Sequence, residues 1–423
     1  MKMKWNLKSA AALFAAASLV SPALANEGPV PKGVPRLDHV FVIMMENHGY
    51  KQIIGNPNAP FANQLARHAN VATNYFAIGH PSSTNYLETV GGSNFGVRSD
   101  NNPDWHNTNC VTNLQSGQPN LDNPNSGNVC PIFGAGTDAE TPATDCSNEV
   151  QCTPANPNPE NNIDGTLSIP AASNISGKTI ADQLIEASKS WKTYQESLPP
   201  SGADGVNFAD GFFTDSSNIA TPTGDPNAKL AKLYAAKHNP FVYFRSIQEG
   251  GLKHVAPFSG KHGLFDDLAS GEVPNFSFIA PNQCNDQHGR GIGEAGSQCD
   301  FDPNNNGTQQ GLNPALMDIG DQTLATIVLA IKNSPVWHEG KNAIVVLWDE
   351  DDYSVSPTIN QVLTIVDTNY GVHGVKSGRF YTHFSLLKSL ESGLRVPCLN
   401  HACDASTSVM SDLFASADSR DNE

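Results

Sequence analysis

A short apolar stretch, His39–Met45, constrains the fold of this chain more than any other segment. It contains no glycine or proline and is apolar on both faces. Such a run is typical of a strand buried inside a parallel sheet. Glu46 and Asn47 follow at once, at the end of the strand where open α/β sheets bind their ligands. These two side chains are either the cap of a following turn or ligands of a metal ion.

Two further predicted strands are followed by metal-capable residues in the same way. Phe276–Ala280 lies between two prolines and precedes Asp286 and His288. Asn342–Trp348 is the most apolar predicted strand, and the four acids at 349–352 come directly after it. Adjacent carboxylates repel one another, so either a cation receives them or they form a solvated turn. Because the ends of parallel strands meet at one edge of a sheet, we expect the three sets to converge.

Strands and helices alternate along the chain. This alternation predicts an α/β fold, a three-layer sandwich with a central, mostly parallel β-sheet flanked by helices. The other predicted strands are 71–78 and 362–366, with 241–244 as a strand or a turn. The predicted helices are 61–67, one beginning at Ser82 or Ser83, 178–196, 227–237, 264–269, 317–332 and 384–391.

The first 25 residues have the pattern of a secretory signal. Three lysines precede the apolar run Ala10–Val20, and Ala23-Leu24-Ala25 is a small-residue cleavage site. We therefore expect an exported product, periplasmic or secreted, with residues 26–423 forming a single domain. No later stretch is expected to cross a bilayer, so stable membrane insertion is not predicted.

The chain is strongly acidic, with 25 Lys and Arg against 42 Asp and Glu and a net charge of −17. Cleavage of the signal removes three lysines, so 22 basic residues remain against 42 acidic ones and the charge becomes −20. Such a surface repels nucleic acid and anionic lipid. It also repels phosphate, so a site for phosphate esters needs local positive charge, and a bound cation is its natural source.

All eight cysteines lie after the signal, which in an exported protein predicts disulfides. Pairing of nearest neighbours gives 110–130, 146–152, 284–299 and 398–403. The first four cysteines fall in a segment of about 97–165 that is rich in Asn, Pro and Gly, which we interpret as a stapled loop insertion. The alternative, a cysteine-ligated zinc site, lacks any C-x-x-C pair.

A hydroxyl group is predicted at the start of a helix in the motif His80-Pro-Ser-Ser-Thr-Asn85. The unpaired N–H groups and the positive end of the helix dipole suit a phosphate there. They equally suit Ser82 as an ordinary N-cap.

The motifs together resemble the secreted phosphoesterase family of bacterial acid phosphatases and phospholipases C, within the alkaline-phosphatase-like superfamily. The motifs that carry the resemblance run in the family's order, at 45–50, 80–87, 190–195, 238–241, 285–288, 348–352 and 381–386.

The resemblance implies a metal-dependent hydrolase with a serine nucleophile and a phosphoseryl intermediate. Oxygen ligands favour calcium, magnesium or manganese as the divalent ion, with zinc possible at the histidines. The implied ligands of one ion are Glu46, Asn47, Asp349 and Glu350, together with Ser82 as the coordinated nucleophile.

Other roles follow from the same resemblance. Asn85 would bind a phosphate oxygen, and His80 and His238 are weaker phosphate contacts. Asp286, His288 and His383 would face the phosphate from the other side and bind a second metal, or the histidines would protonate the leaving group. Thr84 stands where proline is usual, which leaves Ser82, Ser83 and Thr84 open as the nucleophile. The Asp286–His288 spacing is shorter than in two-zinc relatives.

Three functions follow from these expectations. The first is an acid-phosphatase-type phosphomonoesterase that acts on small phosphate esters. The second is a phospholipase C that recognises a phospholipid head group and cleaves phosphocholine lipids. The third, from another class, is a secreted binding protein that keeps the fold and lacks catalysis.

Overall fold

Strand β1, His39–Met45, lies inside an eight-stranded sheet, and the six residues after His39 are fully buried. The computed structural model describes residues 27–80, 82–95, 177–198, 233–244, 246–293, 295–304, 306–351 and 360–414. The predicted signal, the cysteine-rich insertion and the pairings 110–130 and 146–152 lie outside these residues.

The sheet is parallel except at one strand. Its order is β5-β4-β6-β1-β7-β8-β2-β9, and only β8 runs antiparallel to its neighbours. The strands are β2 (Asn70–Ala72), β4 (Trp191–Gln195), β5 (Val255–Pro257), β6 (Phe276–Ala280), β7 (Asn342–Trp348), β8 (Thr364–Thr368) and β9 (Lys376–Ser377). A separate parallel pair joins β3 (Tyr75–Phe76) to β10 (Tyr381–Thr382).

The helices lie in two groups, which gives the predicted three-layer sandwich. They are α1 (Tyr50–Ile53), α2 (Pro60–His68), α3 (Ser82–Gly91), α4 (Ile180–Glu186), α5 (Leu264–Ser270), α6 (Pro314–Asn333) and α7 (His383–Leu394). One group joins α2 and α5 to α6, and the other joins α4 and α7 to α3. Burial of β1 and β7 on both faces confirms that helices cover the sheet on each side.

The strand register brings the predicted ligands to one edge. Met45 of β1 is paired with Trp348 of β7, so Glu46 and Asp349 leave the sheet side by side. The Asp349 N–H donates to the Met45 carbonyl at 3.0 Å. On the other side of β1, the Glu46 N–H donates to the Asp286 carbonyl at 2.8 Å. The predicted convergence of the three strand ends is therefore confirmed at the backbone level.

The predicted helix 178–196 is wrong in its second half. Helix α4 ends at Glu186, and Ser188 adopts a left-handed conformation with φ of 55°. Trp191–Gln195 then forms β4, which pairs in parallel with both β5 and β6. Trp191 was expected to lie on the apolar face of the helix, but it begins a strand instead. Hydrogen bonding to a neighbouring strand on each side outweighs the helical spacing of the local sequence.

Two smaller predictions also change, and of the two alternatives for 241–244 the turn is confirmed. The strand predicted at 71–78 is two short strands, β2 and β3, separated by a turn. Of the helix predicted at 227–237, residues 227–232 lie outside the described residues, and the structure has a 3₁₀ turn at Ala236–His238. The segment 241–244 is mostly another 3₁₀ turn, Pro240–Tyr243.

Helix α6 is long and apolar enough, with a mean hydropathy of 1.2 over 18 residues, to meet a membrane-span criterion. By length and composition, α6 departs from the expectation that no stretch after the signal could cross a bilayer. The helix nevertheless packs against α2 and α5. Its Asp321 carboxylate accepts the N–H groups of Phe61 and Ala62 at 2.7 and 2.8 Å and so caps the start of α2. These contacts are those of a core helix.

Two of the predicted disulfides are confirmed, Cys284–Cys299 and Cys398–Cys403. The first joins residues 15 positions apart, and the loop it closes contains Asp286 and His288. It therefore restrains the loop that leads from β6 into the candidate site.

Glu391 in α7 is a buried acid outside the candidate site, and it predicts how stability changes with pH. One carboxylate oxygen accepts the Leu399 N–H at 2.8 Å, while the other has no hydrogen-bond partner among the described residues. Burial raises the pKa of Glu391 well above its usual value. The contribution of Glu391 to the free energy of unfolding is fully favourable below the pKa that this residue has in the unfolded chain. Because the folded pKa is raised, this contribution is lost as pH rises through the folded pKa.

We therefore expect Glu391→Gln to stabilise the protein at pH 8, by about 2–4 °C in Tm, because the neutral amide keeps the contact to Leu399. Thermal melts at pH 8 and pH 4.5 should show that the difference in Tm between the variant and wild type is smaller at the lower pH. A Tm difference that grows on acidification would contradict the raised pKa of Glu391 in the folded protein.

Candidate active site

Ser82 is the first residue of α3, and its hydroxyl lies between two buried carboxylates. Oγ is 3.2 Å from Glu46 Oε2 and 3.3 Å from Glu350 Oε1. A hydroxyl has one proton, so it donates to one carboxylate at a time. The neighbouring Ser83 hydroxyl instead lies 3.5 Å from the Tyr243 hydroxyl. Of the two serines, Ser82 is therefore the one that the structure brings to the predicted metal ligands.

Asn85 follows Ser82 by one helical turn and organises the segment before α3. Its Oδ1 accepts the N–H groups of Ile78 and Gly79, at 3.0 and 3.1 Å. Its Nδ2 donates to the Gly79 carbonyl at 2.8 Å and to Glu350 Oε2 at 2.9 Å. The amide thus holds the Ser82 segment against Glu350, and its predicted contact to a phosphate oxygen stays a prediction.

Asp349 has one carboxylate oxygen paired and one unpaired. Oδ1 accepts the backbone N–H of Asn47 at 3.1 Å, and Asn47 adopts a left-handed conformation with φ of 52° to make this contact. Oδ2 is buried and has no hydrogen-bond partner among the described residues. Burial raises the Asp349 pKa to about 6, against the opposing effect of the Asn47 N–H. A buried carboxylate oxygen without a hydrogen-bond partner has the chemistry of a metal ligand.

His238 bridges two of the acids. Its Nε2 is 3.1 Å from Glu46 Oε1, and its Nδ1 is 3.1 Å from Asp286 Oδ2. Both are close approaches whose geometry falls short of a hydrogen bond, and they are ion pairs only when the imidazole is protonated. Burial and the neighbouring acids raise the pKa of Glu46, while burial lowers the pKa of His238. The imidazole stacks on Tyr86 of α3, with ring centroids 5.3 Å apart and an angle of 6°.

His80 lies on the outer side of the acidic segment. Its Nδ1 is 2.9 Å from Glu350 Oε2, and its Nε2 is 3.6 Å from Asp351 Oδ1. His80, Glu350 and Asp351 are all at most 3% exposed. His80 therefore lies against the acids that follow β7, and it would partly neutralise them when protonated.

His383 is the first residue of α7 and orients the main chain that carries the acids. Its Nε2 is 2.7 Å from the Asp349 carbonyl, so this nitrogen carries the proton. Its Nδ1 is 3.0 Å from the Tyr75 hydroxyl and accepts from it. Burial lowers the His383 pKa to about 4, which fits a neutral ring. Its predicted roles as metal ligand and proton donor remain predictions, and either would require one of these contacts to break.

The loop after β6 places Asp286 and His288. The His288 N–H donates to Asp286 Oδ1 at 2.7 Å. Gln287 between them adopts φ of 80° and accepts the Trp348 indole N–H at 2.9 Å, which ties this loop to the end of β7. The His288 Nε2 is 3.1 Å from the ammonium of Lys237. Lys237 was not among the residues predicted from the sequence.

The site as a whole fits a cation. The carboxylates of Glu46, Asp286, Asp349, Glu350 and Asp351 are all at most 3% exposed. Burial of so many acids is costly unless positive charge compensates them. The ligand atoms of Glu46, His238 and His288 also lie within 4.8 Å of one another. Carboxylate oxygens with a hydroxyl suit a hard divalent ion, and the histidines would admit zinc.

Comparison with known proteins shows the family to which the chain belongs. A phosphoesterase family model matches residues 56–299. The chain is 24% identical over 362 residues to an acid phosphatase from Aspergillus fumigatus, covering 85% of this chain and 55% of that protein. It is 26% identical over 366 residues to a phosphate-repressible acid phosphatase from Penicillium chrysogenum, covering 86% and 60%. The chain therefore spans little more than half the length of these fungal relatives.

A bacterial relative matches over nearly its whole length. The chain is 25% identical over 399 residues to a phosphatidylinositol-3-phosphatase from Mycobacterium tuberculosis, covering 92% of this chain and 89% of that protein. Among solved structures, a protein in the alkaline phosphatase superfamily from Vibrio parahaemolyticus aligns with a TM-score of 0.44 and 14% identity, covering 90% and 72%. The family match covers more than half of the sequence, and the chain belongs to the phosphoesterase family.

Proposed function

We propose that this protein is an exported, metal-dependent phosphomonoesterase of the acid phosphatase type, with Ser82 as its nucleophile. The observation that carries the proposal is the position of the Ser82 hydroxyl, within 3.3 Å of both Glu46 and Glu350 at the sheet edge. A serine hydroxyl is a weak nucleophile unless a base or a metal ion activates it. Here it lies against two carboxylates in a buried site, inside a chain of the phosphoesterase family.

The residues that would hold the ion are Glu46, Asp349 and Glu350, with Asn47 from the motif and the Ser82 hydroxyl. The unpaired Asp349 Oδ2 supports this assignment. When bound, the ion would favour the alkoxide form of the serine and neutralise charge on the phosphate oxygens.

The protein's own groups supply the remaining chemistry. Ser82 Oγ attacks phosphorus in line, forms the phosphoserine bond and expels the alcohol, while its proton passes to Glu46 Oε2 at 3.2 Å. Burial together with Asp349 and Asp286 raises the pKa of Glu46, which makes it a better proton acceptor than an exposed carboxylate. Water then attacks the phosphoserine and returns the free hydroxyl. The leaving oxygen takes its proton from water, because His288 Nδ1–H is held by the Gly289 carbonyl and Nε2 accepts from the Lys237 ammonium.

The names of the relatives favour a phosphomonoester as substrate, either a small soluble ester or a phosphate carried on a lipid head group. Export is supported by the predicted signal and by the two disulfides in the described residues.

Hydrolysis assays with purified protein test the proposal. We expect turnover of p-nitrophenyl phosphate that a chelator abolishes and a divalent ion restores. Release from p-nitrophenylphosphorylcholine alone would favour the phospholipase C alternative, and a short-chain phosphatidylinositol 3-phosphate tests the lipid head group. No turnover of any of the three, in the presence of Ca²⁺, Mg²⁺, Mn²⁺ or Zn²⁺, would leave the non-catalytic binding protein.

A further inference from the structure

Lys237 is a cation near the acidic cluster, and its ammonium lies 3.1 Å from His288 Nε2. Its charge lowers the pKa values of Glu46, Asp286 and Asp349, against the larger effect of burial in each case. A phosphate group that enters the site must overcome the repulsion of the same carboxylates. An ammonium group is a natural partner for phosphate oxygens, because charge-assisted N–H bonds to them are short and strong.

The hydrogen bonds of His288 define what Lys237 contacts. The His288 Nδ1 lies 2.8 Å from the Gly289 carbonyl, which can only accept, so Nδ1 carries the proton. The Nε2 then has a lone pair, and the Lys237 ammonium donates to it at 3.1 Å. His288 is therefore a neutral ring whose Nε2 faces a positive charge.

A metal ion at Glu46, His238 and His288 would need that same lone pair. These three residues are the group whose ligand atoms lie within 4.8 Å of one another. Nitrogen Nε2 of His288 has one lone pair, and it cannot accept from Lys237 and coordinate an ion at the same time. Lys237 and an ion in this second position are therefore mutually exclusive.

The backbone fixes the position of Lys237. It lies in the 3₁₀ turn Ala236–His238, which packs against α3, the helix that begins at Ser82. The next residue, His238, is clamped between Glu46 and Asp286 and stacks on Tyr86. The ammonium group is thus tied to the same framework as the nucleophile.

We propose that Lys237 is a phosphate-binding residue that supplies the positive charge a second metal ion would otherwise supply, so that the site holds one ion. This inference rests on the proposed function, because it needs phosphate in the site. In this arrangement the ion binds the oxygen ligands around Ser82. Lys237 provides the positive charge beside Asp286 and His288.

Two direct binding measurements test the inference. Equilibrium dialysis of radiolabelled inorganic phosphate, with one equivalent of Mn²⁺, compares wild type with Lys237→Met and Lys237→Arg. We expect Lys237→Met to bind phosphate about 10–100-fold more weakly, as for the loss of a hydrogen bond to a charged group. Lys237→Arg keeps the charge and should stay within about tenfold. Metal analysis after loading with Zn²⁺ should give one ion per chain for wild type and two for Lys237→Met.

Lys341→Met is the matched control, because Lys341 is exposed and precedes β7 at the end of the strand opposite Asp349. It should match wild type in both measurements. If Lys237→Met does not fold, Lys237→Gln replaces it. Unchanged phosphate affinity in the methionine or glutamine variant, or two ions in wild type, would overturn the inference. A wild type that neither binds phosphate nor hydrolyses any ester would instead refute the proposed function.

Discussion

Replacement of Ser82 by alanine is expected to lower kcat for p-nitrophenyl phosphate by at least about a thousandfold and to leave the fold intact. The substitution removes the attacking oxygen, which lies within 3.3 Å of both Glu46 and Glu350. The residue is 1% exposed but contributes only its hydroxyl to the contacts, so alanine leaves a small void. Steady-state kinetics and far-UV circular dichroism measure the two expectations.

Ser83→Ala and Thr84→Val are the matched controls, since both residues lie on the same turn of α3. We expect each to retain turnover within about tenfold of wild type. A loss of activity confined to Ser83→Ala or Thr84→Val would move the nucleophile to that residue. Trapping of a phosphorylated chain by rapid acid quench, absent in Ser82→Ala, would identify the attacking oxygen directly.

Asp349→Asn is expected to abolish the stabilisation that a divalent ion gives to the wild-type protein. An ion that binds only the folded state raises stability by about 2.7 kcal/mol at 100 times its dissociation constant. The Asp349 Oδ2 is the buried carboxylate oxygen without a hydrogen-bond partner among the described residues of β7 and its loop. The amide keeps one acceptor for the Asn47 N–H but loses the anionic ligand.

Melting curves with and without Mn²⁺ provide the measurement. Wild type should gain several degrees in Tm with the ion, and Asp349→Asn should gain little and lose at least about a hundredfold in kcat/KM. Asp318→Asn is a suitable control, because Asp318 is an exposed acid on α6. An unchanged ion-induced shift in Asp349→Asn would place the ion elsewhere.

The three strands that carry the site could be predicted because each combines two signals in the sequence, an apolar run and metal-capable residues directly or shortly after it. β1, β6 and β7 have exactly the bounds that their apolar runs indicate, and each ends where acids or histidine begin. In a parallel sheet this agreement also predicts convergence, which the Met45–Trp348 pairing confirms.

Elsewhere one local signal misled the prediction. Ile180, Leu184 and Trp191 share a helical face in the sequence, but only the first two lie in a helix. The left-handed Ser188 and the partners β5 and β6 decide the outcome, and neither is visible in local spacing. Trp191 packs instead against Phe241, with ring centroids 4.9 Å apart.

Side-chain partners were the least predictable part of the site. Lys237 directly precedes His238, and the scarcity of basic residues near the motifs could have directed attention to it. The spacing of residues in the sequence could not reveal the partners of His383. Its Nδ1 contacts the Tyr75 hydroxyl, and its Nε2 contacts the Asp349 carbonyl. Sequence patterns locate which residues meet, whereas the atoms that meet depend on rotamers and packing.

The hydrogen bond between Tyr75 and His383 joins residues 308 positions apart. A chain that emerges from the ribosome therefore exposes its serine long before the histidine that orients Asp349 has been made. Helix α7 follows all ten described strands in the chain, and the acidic segment gains the His383 contact only when that helix docks. Translation products that stop before α7 would consequently lack the side chain that orients the Asp349 main chain.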